Sequence, residues 1–146
     1  MSVRERLSTV LRLLRGYGLE CSASYGELLA YLNAPSYEGD KITVDEVLAN
    51  ELLLLHEVAE ICLLKKRGHR ITHNIIMEAY PDTYSAHLKA LEIELEEARK
   101  RGMDTWVKRR CNDLTSYLED PYLPPDLRSP VRNLISRYCG EVNVAT

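Results

Sequence analysis

Two stretches of this chain carry side chains that bind metals or move protons, and both have the spacing of helix. In His56-Glu57-Val58-Ala59-Glu60 the imidazole and the second carboxylate stand one helical turn apart and project in nearly the same direction. From Asp82 to Arg101, steps of about 100° per residue gather Tyr84, Leu88, Ala90, Leu91, Leu95 and Ala98 on one broad apolar face. His87 and Glu94 fall inside that face, two turns from each other. Burying a bare carboxylate there is expensive unless a cation, a metal or hydrogen-bond donors meet it. Ala86, Ala90 and Ala98, on or beside the face, let a second helix approach closely.

Neutral imidazole and carboxylate are ordinary ligands of zinc, iron and manganese, and helical bundles build such sites from facing helices. The expected first shell is His56, Glu60, His87 and Glu94 around a divalent metal, with no organic cofactor indicated. In such a site an open coordination position activates water for hydrolysis, with Glu57 as general base. His69, His73 and Asp82 are reserve ligands. The alternative needs no metal: a buried His87 and Glu94 satisfied by hydrogen bonds or by Arg from a neighbouring helix. In that case Glu46, Asn50, Glu57 and Glu60, which share one stripe, face water.

Several established arrangements are excluded. A gluzincin-type protease needs His-Glu-x-x-His, and Glu60 stands where its second His belongs. Ferritin-like bundles repeat Glu-x-x-His, which this chain does not. Glu57 and Glu60 loosely resemble the acidic helices with which all-α nucleotide pyrophosphohydrolases hold magnesium, but His fits magnesium poorly, and no family's residues are carried over. Gly16 and Gly18 flank Tyr17 without a preceding strand, so they read as a helix stop and a turn, not a phosphate cradle.

The elements that must position these groups are all helices. Val3 to Arg15 carries Leu7, Val10, Leu11 and Leu14 on one face and stops at Gly16; Ser24 with Glu27 is a capping box for a short helix through Leu32. Ala34 to Asp40 is a loop, after which Thr43 with Glu46 opens a central helix reaching Arg67, ended by Gly68. A short helix from about Thr72 to Ala79 precedes Pro81, and the His87 helix follows, ending at Gly102. Asp104 to Glu119 is the next helix, and the last has Ser129 as N-cap and Pro130 in its first turn. No run alternates as a strand does, so the fold class is all-α: a single-domain compact bundle of roughly six or seven helices, with 141–146 a loose tail.

At 146 residues the chain is about one domain long, and a net charge of −3 does not suggest a protein built mainly to hold nucleic acid or acidic membranes. Locally, Lys65-Lys66-Arg67-Gly68-His69-Arg70, Arg99-Lys100-Arg101 and Lys108-Arg109-Arg110 leave open a positive face for RNA or DNA, although helix dipoles explain the first two equally well. Trp106 stacks a base in that reading and fills a core in the other. A nucleic-acid-binding or protein-interaction module without catalysis is therefore the competing class. The apolar stretch Leu52 to Leu64 serves a core or a homodimer face. Which small-molecule substrate a hydrolase of this kind would take does not follow from the sequence. Arg4, Glu5, Arg6 and Arg12 break up the first residues too often for a signal peptide, and no apolar run is long enough to span a bilayer, so the expected setting is cytoplasmic. Cys21, Cys62, Cys111 and Cys139 lie far apart and read as free thiols, with pairing reserved for a hyperthermophile source.

Overall fold

The computed structural model describes residues 1–36 and 42–140. Part of the loop expected up to Asp40, and the tail expected at 141–146, lie outside the described residues. The all-α expectation holds: among the described residues there are eight α-helices and no strand. They are α1 (Val3–Gly16), α2 (Tyr25–Asn33), α3 (Val44–Ala49), α4 (Glu51–Lys66), α5 (Ile75–Glu78), α6 (Asp82–Lys100), α7 (Asp104–Tyr117) and α8 (Arg128–Leu134). The chain forms two compact units, one of Met1–Ala90 and one beginning at Leu91.

In the first unit α4 is the hub. Leu52, Leu54, Leu55, Val58, Ala59, Ile61, Cys62 and Leu64 are all buried, and a helix apolar all round has to be enclosed by others. It meets α1 through Leu7, Val10 and Leu14, α2 through Leu28, Tyr31 and Leu32, and α3 through Val47. The helix starts are fixed locally. Ser24 Oγ accepts from the Glu27 N–H at 3.1 Å while Glu27 accepts from the Ser24 N–H at 3.0 Å, and Thr43 with Glu46 repeats the pattern, as expected. Ser2 with Glu5 forms a third such box that sequence reading passed over.

The central helix expected from Thr43 to Arg67 is two helices. Asn50 adopts an extended backbone (φ −132°, ψ 114°), and its side chain accepts from the Leu53 N–H at 3.1 Å, so it caps α4 instead of continuing α3. Asparagine competes in this way for nearby backbone donors, which explains the break. Gly68, at φ +91°, takes the left-handed turn that ends α4 without the steric cost a side chain would bring.

The cysteines are not free thiols. Cys21 pairs with Cys62, tying the segment before α2 to α4, and Cys111 on α7 pairs with Cys139, each pair with Cα atoms 5.7 Å apart. The wide sequence separation that argued for free thiols is irrelevant once helices fold back on one another.

The second unit packs α7, α8 and a closing π-helical turn (Ile135–Cys139) around Leu114, Val131, Leu134 and Tyr138. Ser129 is not the N-cap of α8. Pro125–Leu127 form a 3₁₀ turn whose Leu127 N–H bonds Pro124 O at 2.9 Å, and this turn runs directly into α8 at Arg128. No helix among the described residues is long and apolar enough to cross a membrane.

Candidate metal centre

His56 and Glu60, one turn apart on α4, converge with His87 from the first part of α6, all within the first unit. Glu60 Oε2 lies 2.5 Å from His56 Nε2 and 2.8 Å from His87 Nδ1, and the two ring nitrogens are 3.1 Å apart. The rings stand edge to face, 63° between planes. His56 and Glu60 are buried, at 1% and 6% exposure, whereas the His87 side chain is 26% exposed. The other Glu60 oxygen, Oε1, accepts a hydrogen bond from the buried hydroxyl of Tyr31 on α2.

Burial by itself pushes the Glu60 carboxyl up, but the charge of His56 and hydrogen bonds from His56 and His87 outweigh it, and the group is held well below the ordinary carboxylate range. Two ring N–H groups donating to the one carboxylate oxygen account for the two shorter contacts and leave the ring nitrogens 3.1 Å apart across their shared acceptor. A cation taking a lone pair from each of the three atoms is the other arrangement that this donor set allows.

Among the described residues this is the one group of three or more histidines, cysteines or carboxylates whose ligand atoms converge in this way. The structure brings together three of the four expected ligands. Glu94 is engaged elsewhere, in the second unit: fully buried, it accepts from Trp106 Nε1 at 2.6 Å and from Arg110 Nε and Nη2 at 2.7 and 3.0 Å. For Glu94 the metal-free alternative, an Arg from a neighbouring helix, describes what is seen. Glu57 is half-buried beside His56 in sequence and is not among the converging atoms. The reserve ligands divide: His69 Nε2 and Arg67 Nη1 hold the two Asp82 oxygens at 2.8 and 2.7 Å, while His73 is exposed. The solvated stripe is split as well, with Glu46 exposed and Glu60 enclosed.

Some cations of the basic runs are met by carboxylates. Lys65 pairs with Glu27, Arg67 with Asp82, Arg101 with Glu97 and Arg110 with Glu94, at 2.7 to 2.9 Å. Trp106 is half-buried and its ring N–H is committed to Glu94. Sequence reading missed Tyr31. The signal was present, since a tyrosine among Leu28, Leu29 and Leu32 on a short helix is destined for burial and its hydroxyl then needs a partner.

No family model matches the chain, nor does any curated protein or solved structure.

Proposed function

We propose that this protein binds one divalent transition-metal ion through His56 Nε2, His87 Nδ1 and Glu60 Oε2. The observation that supports the reading is the convergence of two imidazole nitrogens and one buried carboxylate oxygen, each within 3.1 Å of the other two. Two imidazoles and one carboxylate form a donor set of intermediate softness, suited to zinc, iron or manganese and poorly matched to magnesium or calcium.

The chemistry such an ion supplies is Lewis acidity and acidification of a bound water, which makes metal-assisted hydrolysis the reaction class we assign. In this reading Tyr31 orients Glu60, His87 forms the solvent-facing side of the site, and Glu57, adjacent to His56 in sequence, takes the proton from the attacking water. The two disulfides favour an oxidising compartment, or the cytoplasm of a hyperthermophile, over an ordinary reducing cytoplasm.

Elemental analysis of protein purified without a polyhistidine tag tests the binding. The expected result is stoichiometric zinc, iron or manganese, lost in His87→Ala and Glu60→Gln while helical content is kept. Wild-type protein that stays metal-free after reconstitution with each ion would show the triad to be a purely hydrogen-bonded cluster. For the hydrolytic reading, Glu57→Gln should keep its metal and lose about a hundredfold in turnover of an activated ester such as p-nitrophenyl acetate, in line with loss of a general base. Unchanged turnover would remove Glu57 from that role.

A further inference from the structure

On α1, Arg4, Ser8, Leu11 and Arg15 recur at helical spacing and share one stripe, with a guanidinium near each end. That stripe is one wall of a cavity of about 730 Å³, and residues between Glu20 and Tyr25 form the other. Among the described residues neither Arg4 nor Arg15 makes an ion pair, and Glu20 is the one carboxylate on the lining, so positive charge is in excess there. Cys21 belongs to the second wall. It is half-buried, whereas its disulfide partner Cys62 is 0% exposed and stands off the lining. The bond therefore turns one residue towards solvent and hides the other. Cys111 and Cys139 also border a cavity, of about 470 Å³, but both are buried at 4% exposure, and Arg99 on that lining already donates to Arg137 O at 2.5 Å.

We infer that Cys21 is a site of reversible modification by a small anionic thiol, which enters the α1 cavity and exchanges with the Cys21–Cys62 bond. Exchange begins with attack of a thiolate on one sulfur of a disulfide, and access decides which sulfur is attacked. Here the ligand's thiolate bonds to Cys21 Sγ, the Cys21–Cys62 bond breaks, and its electron pair leaves on Cys62 Sγ, which takes a proton from water. A second ligand thiolate attacks the first ligand's sulfur, forms the ligand disulfide and releases Cys21, which is protonated in turn. Two thiols are thus oxidised to one disulfide as the protein's bond is reduced. The two guanidiniums favour a ligand whose thiol is flanked by carboxylates, and Glu20 suits an ammonium on the same molecule. A short peptide thiol has that charge pattern. Opening the bond removes the covalent tie between the segment ahead of α2 and α4, while polar ties remain: Lys65 of α4 bonds Ser22 O at 2.7 Å and pairs with Glu27 of α2 at 2.9 Å.

The test adds reduced glutathione, or cysteamine, whose thiolate form has no net charge, to the oxidised native protein and maps trapped thiols and adducts by mass spectrometry. Cys21–Cys62 should open before Cys111–Cys139, at a rate proportional to glutathione concentration, with the adduct on Cys21. Arg4→Gln combined with Arg15→Gln should slow opening by glutathione about tenfold, the lower end of what electrostatic steering supplies, and leave opening by cysteamine unchanged. Each thiol is compared with itself, so intrinsic reactivity cancels. A purely structural bond would open only as fast as the protein unfolds, at a rate that levels off with thiol concentration. That behaviour, an adduct on Cys62, prior opening of Cys111–Cys139, or equal slowing of both thiols overturns the inference. Should the double variant not fold, added potassium chloride takes its place on the wild type: it should slow glutathione and spare cysteamine, and a rate with glutathione indifferent to salt overturns the inference.

Discussion

Arg110→Ala should destabilise the fold by about 3–5 kcal/mol, measured by urea denaturation at neutral pH, because it removes the guanidinium that meets a fully buried carboxylate. Glu94 is fully buried, and Arg110 reaches it with two nitrogens at 2.7 and 3.0 Å while Trp106 adds the third hydrogen bond. Burial favours loss of the guanidinium proton, but Glu94's charge and hydrogen bonds outweigh it and raise the Arg110 pKa, so the pair is ionic. Replacing both partners with apolar residues, Glu94→Leu with Arg110→Met, should be close to neutral because no charge is then left unpaired. A cost under about 1 kcal/mol for Arg110→Ala would mean that water or another donor reaches Glu94 and that the pair behaves like a surface ion pair.

Reduction of the disulfides should be comparably damaging. The Cys21–Cys62 bridge spans 41 residues and Cys111–Cys139 spans 28. On the chain-entropy account these cross-links restrict the unfolded state by about 4 and about 3.5 kcal/mol respectively. The two loops do not overlap in sequence, so the contributions should add in the double variant. Cys21→Ser with Cys62→Ser, Cys111→Ser with Cys139→Ser, and the four-fold variant, compared by denaturant midpoint with and without reductant, measure this. Reductant should shift the wild-type midpoint and leave the four-fold variant where it is. A wild-type midpoint indifferent to reductant, in protein shown by thiol titration to be reduced, would contradict the prediction.

What could be read from sequence follows the range of the interactions. The capping boxes at Ser24 and Thr43, the stop at Gly68, and the pairing of His56 with Glu60 one turn later depend on residues within four positions of each other, where helix geometry alone decides who meets whom. The apolar face of α6 was legible for the same reason, and so was the need of both His87 and Glu94 for partners. Both were expected beside His56 and Glu60, and only His87 is there, because two residues on one face of one helix carry the same local signal whatever packs against them. The fold met His87 with Glu60, 27 residues away, and Glu94 with Arg110, 16 residues away.

The remaining decisions also belong to tertiary packing. Cysteines 41 and 28 residues apart came within bonding distance only when helices folded back on one another. Tyr31 reaches Glu60 across 29 residues. The chain's local chemistry therefore determined an all-helical protein with a histidine–carboxylate pair on its central helix. Its three-dimensional packing turned that pair into a three-donor site and sent Glu94 to an arginine, because convergence in space is a property of how helices dock and leaves no trace in residue spacing.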